Sequence, residues 1–399
     1  MKQELNDSKM KTAFETYQTP FYLFDTDILA SRIADIRSAL PPRTQLCFAM
    51  KANPFLVKDM EKHVNYFEVC SPGEFHICER AGIDKKRIVM SGVHKKQEDM
   101  EYAITRYSDS IIFTVESFEH WKILTSCAIR EKRNIRVLLR LTSGNQFGMD
   151  EPSIRRIISG GPYEYVEISG IQYFSGTQKK SGAKLEGELQ MLDQLCADLQ
   201  KQYHFTVQKL EYGPGLPVCY FEGEKDEEEA MLLALSSAIK SLTFKGQVTL
   251  EMGRFIAASC GFYATSVVDL KTNNDQSYCI VDGGIHQLNY YGQMLAMKKP
   301  FITHYGRQDG EAAEWTVCGS LCTSSDVLVR QYPFHGLEQG DRLVFQKTGA
   351  YSVTEGMAMF LSRDLPLVLL YSENEQYQVA RPALATDQFN FFTQKGDNK

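Results

Sequence analysis

Residues 45–81 read QLCFAMKANPFLVKDMEKHVNYFEVCSPGEFHICERA. Gln45–Met50 is a short apolar run that ends abruptly at Lys51-Ala52-Asn53, and Pro54–Val64 then carries its apolar residues at helical spacing. Tyr66–Cys70 is a second apolar run, followed by the helix-like Gly73–Ala81. Two strand–helix repeats therefore occupy fewer than forty residues. The same alternation continues through Arg87–Met90, Ile111–Val115, Ile135–Leu141, Val166–Tyr173, Val207–Tyr212 and Gln247–Glu251. Ser117–Ile129, Leu185–Gln202 and Asp226–Leu242 are among the helix-like stretches between them. Eight such repeats predict a (β/α)8 TIM-type barrel. An open doubly wound sheet would carry a dinucleotide fingerprint near its first strand, and none is present.

The pattern changes after about Cys260. YATSVVDL, SYCIVDGG, EWTVCGS, DVLVRQY, DRLVFQK and PLVLLYS are short, strand-like and separated by turn residues, which predicts a C-terminal all-β domain. The expected division is a barrel over 26–264 and a β domain over 265–399, with residues 1–25, through the strand-like Phe21–Asp25, joining the latter. Met1–Lys11 and Gln394–Lys399 read as loose ends.

A chain of 399 residues suits two domains, and 43% hydrophobic residues supply a large core. The net charge of −6, with no block of lysine and arginine, argues against nucleic acid or an anionic membrane surface as partner. The polar N-terminus lacks a signal-peptide core and no segment is long and apolar enough to span a bilayer, so a cytoplasmic protein is expected. Ten scattered cysteines form no zinc-spaced pairs, and no metal is expected.

Barrel active sites form just past the carboxyl ends of the strands. The first strand ends at Lys51, and a lysine held at a barrel mouth suits Schiff-base chemistry. The seventh ends in Gly213-Pro214-Gly215, where backbone N–H groups can approach a phosphate. The eighth ends in Glu251-Met252-Gly253-Arg254: a carboxylate able to pair with a protonated ring nitrogen and an arginine able to hold a phosphate. Together these are the parts of a pyridoxal 5'-phosphate site.

CFAMKANP, YFEVCSPGEF, the glycine loop, EMGR, VDGG, GSLCTSSD and GAYS follow one another in an order that resembles the fold-type III, alanine racemase-like decarboxylases acting on diaminopimelate, ornithine and arginine. The resemblance runs from about Thr19 to Ser352. It implies that Lys51 carries the cofactor and Glu251 pairs with its ring nitrogen, while Gly213, Gly215, Thr177, Arg254 and Tyr351 hold its phosphate. It implies further that Phe174 stacks on the ring, that the enzyme is a homodimer with shared active sites, and that Cys322 and Asp326 arrive from the partner. Cys322 is then the acid that returns a proton to the α-carbon.

The departures concern substrate. Where the family commonly has an acidic residue after the catalytic cysteine, this chain has Thr323, and a distal ammonium loses a charge-assisted partner worth roughly 1.5–3 kcal/mol. The segment His286-Gln287-Leu288-Asn289-Tyr290-Tyr291-Gly292 lacks the arginine that receives a second carboxylate. Phe174 replaces a histidine, and Pro214 removes one N–H donor from the phosphate loop. Neither diaminopimelate nor free ornithine is expected as substrate; a conjugated or carrier-tethered amino acid is, with His286, Thr323 and Asp326 as substrate contacts. Two other readings are a racemase, against which Glu251 stands where racemases use arginine, and a non-catalytic regulator, against which the retained Lys51, Glu251, Arg254 and Cys322 stand. Glu68, Glu74 and Arg140 border the expected pocket, the two glutamates equally well read as helix N-terminal carboxylates.

Overall fold

The computed structural model describes residues 6–290 and 296–392. Its strands are β1 (Phe21–Asp25), β2 (Gln45–Ala49), β3 (Tyr66–Val69), β4 (Ile88–Met90), β5 (Ile112–Val115), β6 (Ile135–Leu141), β7 (Val166–Phe174), β8 (Lys209–Gly213) and β9 (Gln247–Met252). They continue as β10 (Gly261–Asn273), β11 (Gln276–Val281), β12 (Ile302–Tyr305), β13 (Ala312–Cys318), β14 (Val327–His335), β15 (Arg342–Gln346), β16 (Leu367–Ser372) and β17 (Gln376–Arg381). The chain divides into two compact units, one of Ile33–Val218 and Asp226–Ile256, the other of Met1–Arg32, Cys219–Lys225 and Ala257–Lys399.

In the first unit β2 to β9 form a closed barrel. Every pairing is parallel, and closure comes from β9 on β2, which sets Cys47 opposite Glu251. The barrel strands are largely buried, which is why most of their residues are apolar, although Glu68, Arg136, Arg140, Lys209, Glu211 and Glu251 interrupt the runs. The surrounding helices follow ordinary capping chemistry. Asp150 accepts from Ser153 N to start Glu151–Ser159, whose Ile154, Ile157 and Ile158 fall on one face and are buried. Ser181 likewise caps Gly182–Tyr203, where Leu185, Leu189, Leu192, Cys196 and Leu199 face inward and His204 ends the helix in the left-handed conformation. Each such leucine contributes about 1.5–3 kcal/mol, and truncating Leu192 to alanine would cost about 2–5 kcal/mol.

The second unit is a nine-stranded sheet in the order β14-β13-β11-β10-β1-β16-β17, with β15 on β10 and β12 on β15. Phe21–Asp25 lies inside it, antiparallel to β10 and parallel to β16. The expected loose N-terminus is corrected in part. Asp7–Thr16 is a helix capped by Asn6, and Met10 and Ala13 are buried against Phe21, Leu23, Phe262 and Leu369. That apolar contact orders residues whose composition alone reads as polar. Residues 1–5 and 394–399, and Tyr291 and Gly292 of the segment after β11, lie outside the described residues. No helix among the described residues is long and apolar enough to cross a membrane.

Candidate active site

The barrel places its chemistry at one mouth. After β2 the chain makes a single 3-10 turn, Met50–Ala52, and Asn53 stops it by accepting from Phe55 N, with Pro54 opening the next turn. Lys51 is thereby lifted above the buried Met50 and Ala52. Its Nζ lies 3.0 Å from Glu68 Oε2, 3.5 Å from Glu251 Oε1 and 3.7 Å from Cys70 Sγ. The approach of the β9 end to this turn requires a glycine. A Cβ on Gly253 would stand 2.8 Å from Ala52 Cβ and 3.1 Å from Ala49 O.

The two carboxylates are almost inaccessible, at 3% for Glu68 and 9% for Glu251, while Lys51 is 41% exposed. Burial raises both carboxyls, but they separate. The charge of Lys51 and the hydrogen bond from its Nζ hold Glu68 down at about 2. Burial and the Glu68 charge push Glu251 well above the usual range. Like charges in one site drive such a separation. Glu211, fully buried on β8, adds a third carboxyl raised by burial. It accepts from Gln172 Nε2 at 2.9 Å and has Lys209 Nζ at 3.5 Å.

The mouth is therefore rich in carboxyls, and one of them, Glu251, stays raised by burial and the Glu68 charge even with Lys51 Nζ 3.5 Å away, so a further positive group beside it would favour its anion. A pyridinium N–H is such a group, so the donor set fits pyridoxal phosphate.

A second cluster follows β7 and β8. Phe174 closes β7 and is half-buried, as is Thr177 three residues on. Gly213 ends β8 under Phe174, and Gly215 has φ +59°. A Cβ on Gly215 would fall 1.9 Å from Gly176 O, so the two loops touch along their backbones. Arg254 is buried and opens the short helix Arg254–Ala257 just past β9. Beside the mouth, a cavity of about 250 Å³ is lined by Cys70, Phe75, Met90, Lys95, Met100 and Tyr102. The buried Lys95 donates to Ser91 O and Gly92 O at 3.0 and 3.1 Å, and burial lowers its pKa to about 8.

The remaining expected residues belong to the sheet unit. Cys322 is exposed and Thr323 is half-buried; Thr323 Oγ1 lies 3.0 Å from Ser325 Oγ. Asp326 has a different setting from a substrate contact. It is buried, and its two oxygens accept from Ile285 N at 2.9 Å and Leu321 N at 2.7 Å, tying the loop that carries Cys322 to the segment after β11. His286 is buried and held neutral, its pKa lowered to about 4 by burial and by the nearby Arg363. Its Nδ1 has no hydrogen-bond partner among the described residues. Tyr351 follows the Gly349-Ala350 turn with φ +68°.

Some functional positions were not legible in the sequence. Glu68 is on a strand rather than at a helix N-terminus, and pairs with Lys51. Glu74 keeps the helix-terminal setting, accepting from Cys70 N at 2.6 Å. Arg140 is tied to Glu116 at 3.0 Å. Lys209 and Glu211 escaped notice, although their spacing of two puts both on one face of a strand. Among the described residues no group of histidine, cysteine, aspartate or glutamate is assembled for a metal ion.

The sequence profile described as "Pyridoxal-dependent decarboxylase, C-terminal sheet domain" matches residues 21–349. An L-glutamyl-[BtrI acyl-carrier protein] decarboxylase of Niallia circulans is 26% identical over 405 aligned positions, covering 94% of each chain. A 2-[(L-alanin-3-ylcarbamoyl)methyl]-2-hydroxybutanedioate decarboxylase of Staphylococcus aureus is 24% identical, covering 89% of this chain and 94% of its own. In fold, the chain is similar to a diaminopimelate decarboxylase of Helicobacter pylori solved with L-lysine. The TM-score is 0.83 at 24% identity, over 95% of this chain and 98% of that one. With the profile matched across both the barrel and most of the sheet, this chain belongs to the pyridoxal-dependent decarboxylase family.

Proposed function

We propose that this enzyme binds pyridoxal 5'-phosphate on Lys51 and removes the α-carboxylate of an amino acid whose distal end is conjugated or tethered to a carrier. The observation that carries the cofactor reading is the single lysine amine within 3.5 Å of two buried carboxylates of opposite titration behaviour. Glu251 holds the ring nitrogen protonated, Glu68 places the Lys51 amine through their 3.0 Å contact, and Phe174 covers the ring face. Gly213, Gly215, Thr177, Arg254 and Tyr351 hold the phosphate. Bound pyridoxal phosphate supplies an electron sink for the pair left on Cα when carbon dioxide departs.

The protein's own share is orientation and proton placement. Lys51 Nζ would hold the cofactor and is the amine that would exchange with those of substrate and product. Cys322 Sγ delivers the proton to Cα, reaching the site from the second copy of a homodimer. Asp326 holds the Cys322 loop through Leu321 N. Thr323 and Ser325 present hydroxyls, and Asp326 is buried with both of its oxygens accepting backbone N–H groups. His286 is a neutral imidazole, suited to hydrogen bonding an amide or thioester carbonyl more than to neutralising a carboxylate. An uncharged distal group is what these residues accept. Two relatives act on joined amino acids by their names, one on a glutamyl carrier protein and one on an alanine-derived amide. A cytoplasmic location is supported by ten cysteines, none of them in a disulfide.

The test is carbon dioxide release from purified protein with two panels, free diamino acids and the same amino acids capped as distal amides or carrier thioesters. Turnover confined to the capped panel supports the reading. Efficient turnover of free ornithine or diaminopimelate overturns the substrate class, and no release from either panel overturns the reaction.

A further inference from the structure

Two loops form the phosphate end of the proposed site, and one carboxylate off the mouth joins them. Glu188, on the helix Gly182–Tyr203, accepts from Ser175 Oγ at 2.5 Å through Oε1, and from Tyr212 Oη at 2.6 Å and Lys179 Nζ at 2.7 Å through Oε2. Ser175 and Lys179 bracket Gly176-Thr177-Gln178 in the loop after β7. Tyr212 immediately precedes Gly213 at the end of β8. Lys179 N also donates to Gly215 O at 2.9 Å. Gln178 pairs with Val218 in both directions, Nε2 to its carbonyl at 3.0 Å and Oε1 from its N–H at 2.7 Å.

The ion pair is deeply buried, with side-chain exposures of 3% for Lys179 and 10% for Glu188. A buried pair of this kind is a poor device for stability alone, because desolvation offsets its Coulomb gain. Its value is geometric. It fixes the spacing of two loops that meet so closely that a Cβ at Gly215 would overlap Gly176 O.

We propose that Glu188 and Lys179 are positioning residues that set the phosphate cradle by clamping the Ser175–Lys179 loop to the Tyr212–Gly215 loop. The inference rests on the reading above, that these loops receive the cofactor's phosphate. Neither residue touches the cofactor ring or the reacting atoms. Loosening the clamp therefore weakens the hold on the phosphate and leaves the chemistry at Lys51 Nζ intact.

That separation defines the experiment. The dissociation constants of pyridoxal 5'-phosphate and of pyridoxal, which lacks the phosphate, are measured by visible absorbance for the wild type, Glu188→Gln, Ser175→Ala and the neutral pair Lys179→Gln/Glu188→Gln, with thermal melting of each apoprotein alongside. In Glu188→Gln the phosphorylated form is expected to weaken about tenfold or more, the scale on which outer-shell partners of a bound group act. Pyridoxal is expected to bind as before, so the ratio of the two constants falls. Ser175→Ala, which removes one hydrogen bond and no charge, shows a smaller change of the same sign and carries the test if Glu188→Gln does not fold. An unchanged ratio in every folded variant, whatever the melting temperatures do, overturns the clamp while leaving the cofactor reading intact. A wild type that binds neither compound overturns both.

Discussion

Lys51 Nζ stands 3.0 Å from Glu68 Oε2, a carboxylate that burial alone would protonate and that the lysine instead keeps ionised at about 2. The neighbouring Glu251 is driven the other way, by burial first and then by the same anion. The lysine thus stands closer to one carboxylate than to the other, 3.0 against 3.5 Å, and the two titrate in opposite directions.

Glu251→Gln separates stability from activity. A folded-state pKa above the ordinary 4.5 means that Glu251 favours folding below that value and opposes it as pH rises toward the folded pKa. At neutral pH the Glu251→Gln apoprotein is therefore expected to melt higher than wild type, by roughly 2–4 °C for each kcal/mol gained. The same variant is expected to lose about 10²–10³ in kcat. Calorimetry of apo and cofactor-loaded forms checks both, and a variant that melts lower without cofactor contradicts the strained-carboxylate account.

Glu68 gives the opposite pH signature. Its folded pKa of about 2 lies below the ordinary 4.5, so its contribution to stability is present above pH 4.5 and is lost as pH falls through the interval toward 2. Wild type and Glu68→Gln melting temperatures should converge as pH drops from 5 to 3. A difference that stays constant across that range shows that Glu68 is not the ionised partner of Lys51.

Cys322→Ala should uncouple the two halves of the reaction. Carbon dioxide loss precedes proton return, so one equivalent of carbon dioxide per site should still appear in a rapid-quench single turnover. Amine product should then form about 10²–10⁴ times more slowly. Equal slowing of both halves would remove Cys322 from the role of acid.

The substrate reading is checked at Thr323. Thr323→Asp places a carboxylate beside Ser325 without touching Asp326, and should raise kcat/KM for free ornithine while lowering it for the amide-capped form. Wild-type kcat/KM on free ornithine or diaminopimelate should stay below about 10⁴ M⁻¹s⁻¹. No gain toward ornithine in Thr323→Asp would place the distal group elsewhere.

The barrel was readable because its strands are mostly apolar, recur eight times and end in sharp changes of chemistry; Lys51 and Glu251 stand at such ends. Glu68 and Glu211 were harder. A glutamate inside a strand looks the same whether it faces a helix, solvent or the barrel interior, and only closure of β9 on β2 settles the face. Glu188 and Lys179 lie nine residues apart on a helix and a loop, and nothing local distinguishes them from solvated charges. In the sheet unit β12 and β17 were missed. ITHY is short and half-buried, and QYQVAR is a polar edge strand with no apolar alternation. The helix Asp7–Thr16 was missed because just two of its residues, Met10 and Ala13, are buried.

The central claim is that one amine carries the cofactor, and hydride reduction followed by peptide mass mapping tests it most directly. Wild-type protein incubated with pyridoxal 5'-phosphate and reduced with borohydride should carry a stable pyridoxyl-phosphate adduct on Lys51, and Lys51→Ala should carry none. An adduct on Lys95, Lys179 or Lys209 with Lys51 unmodified would contradict the account.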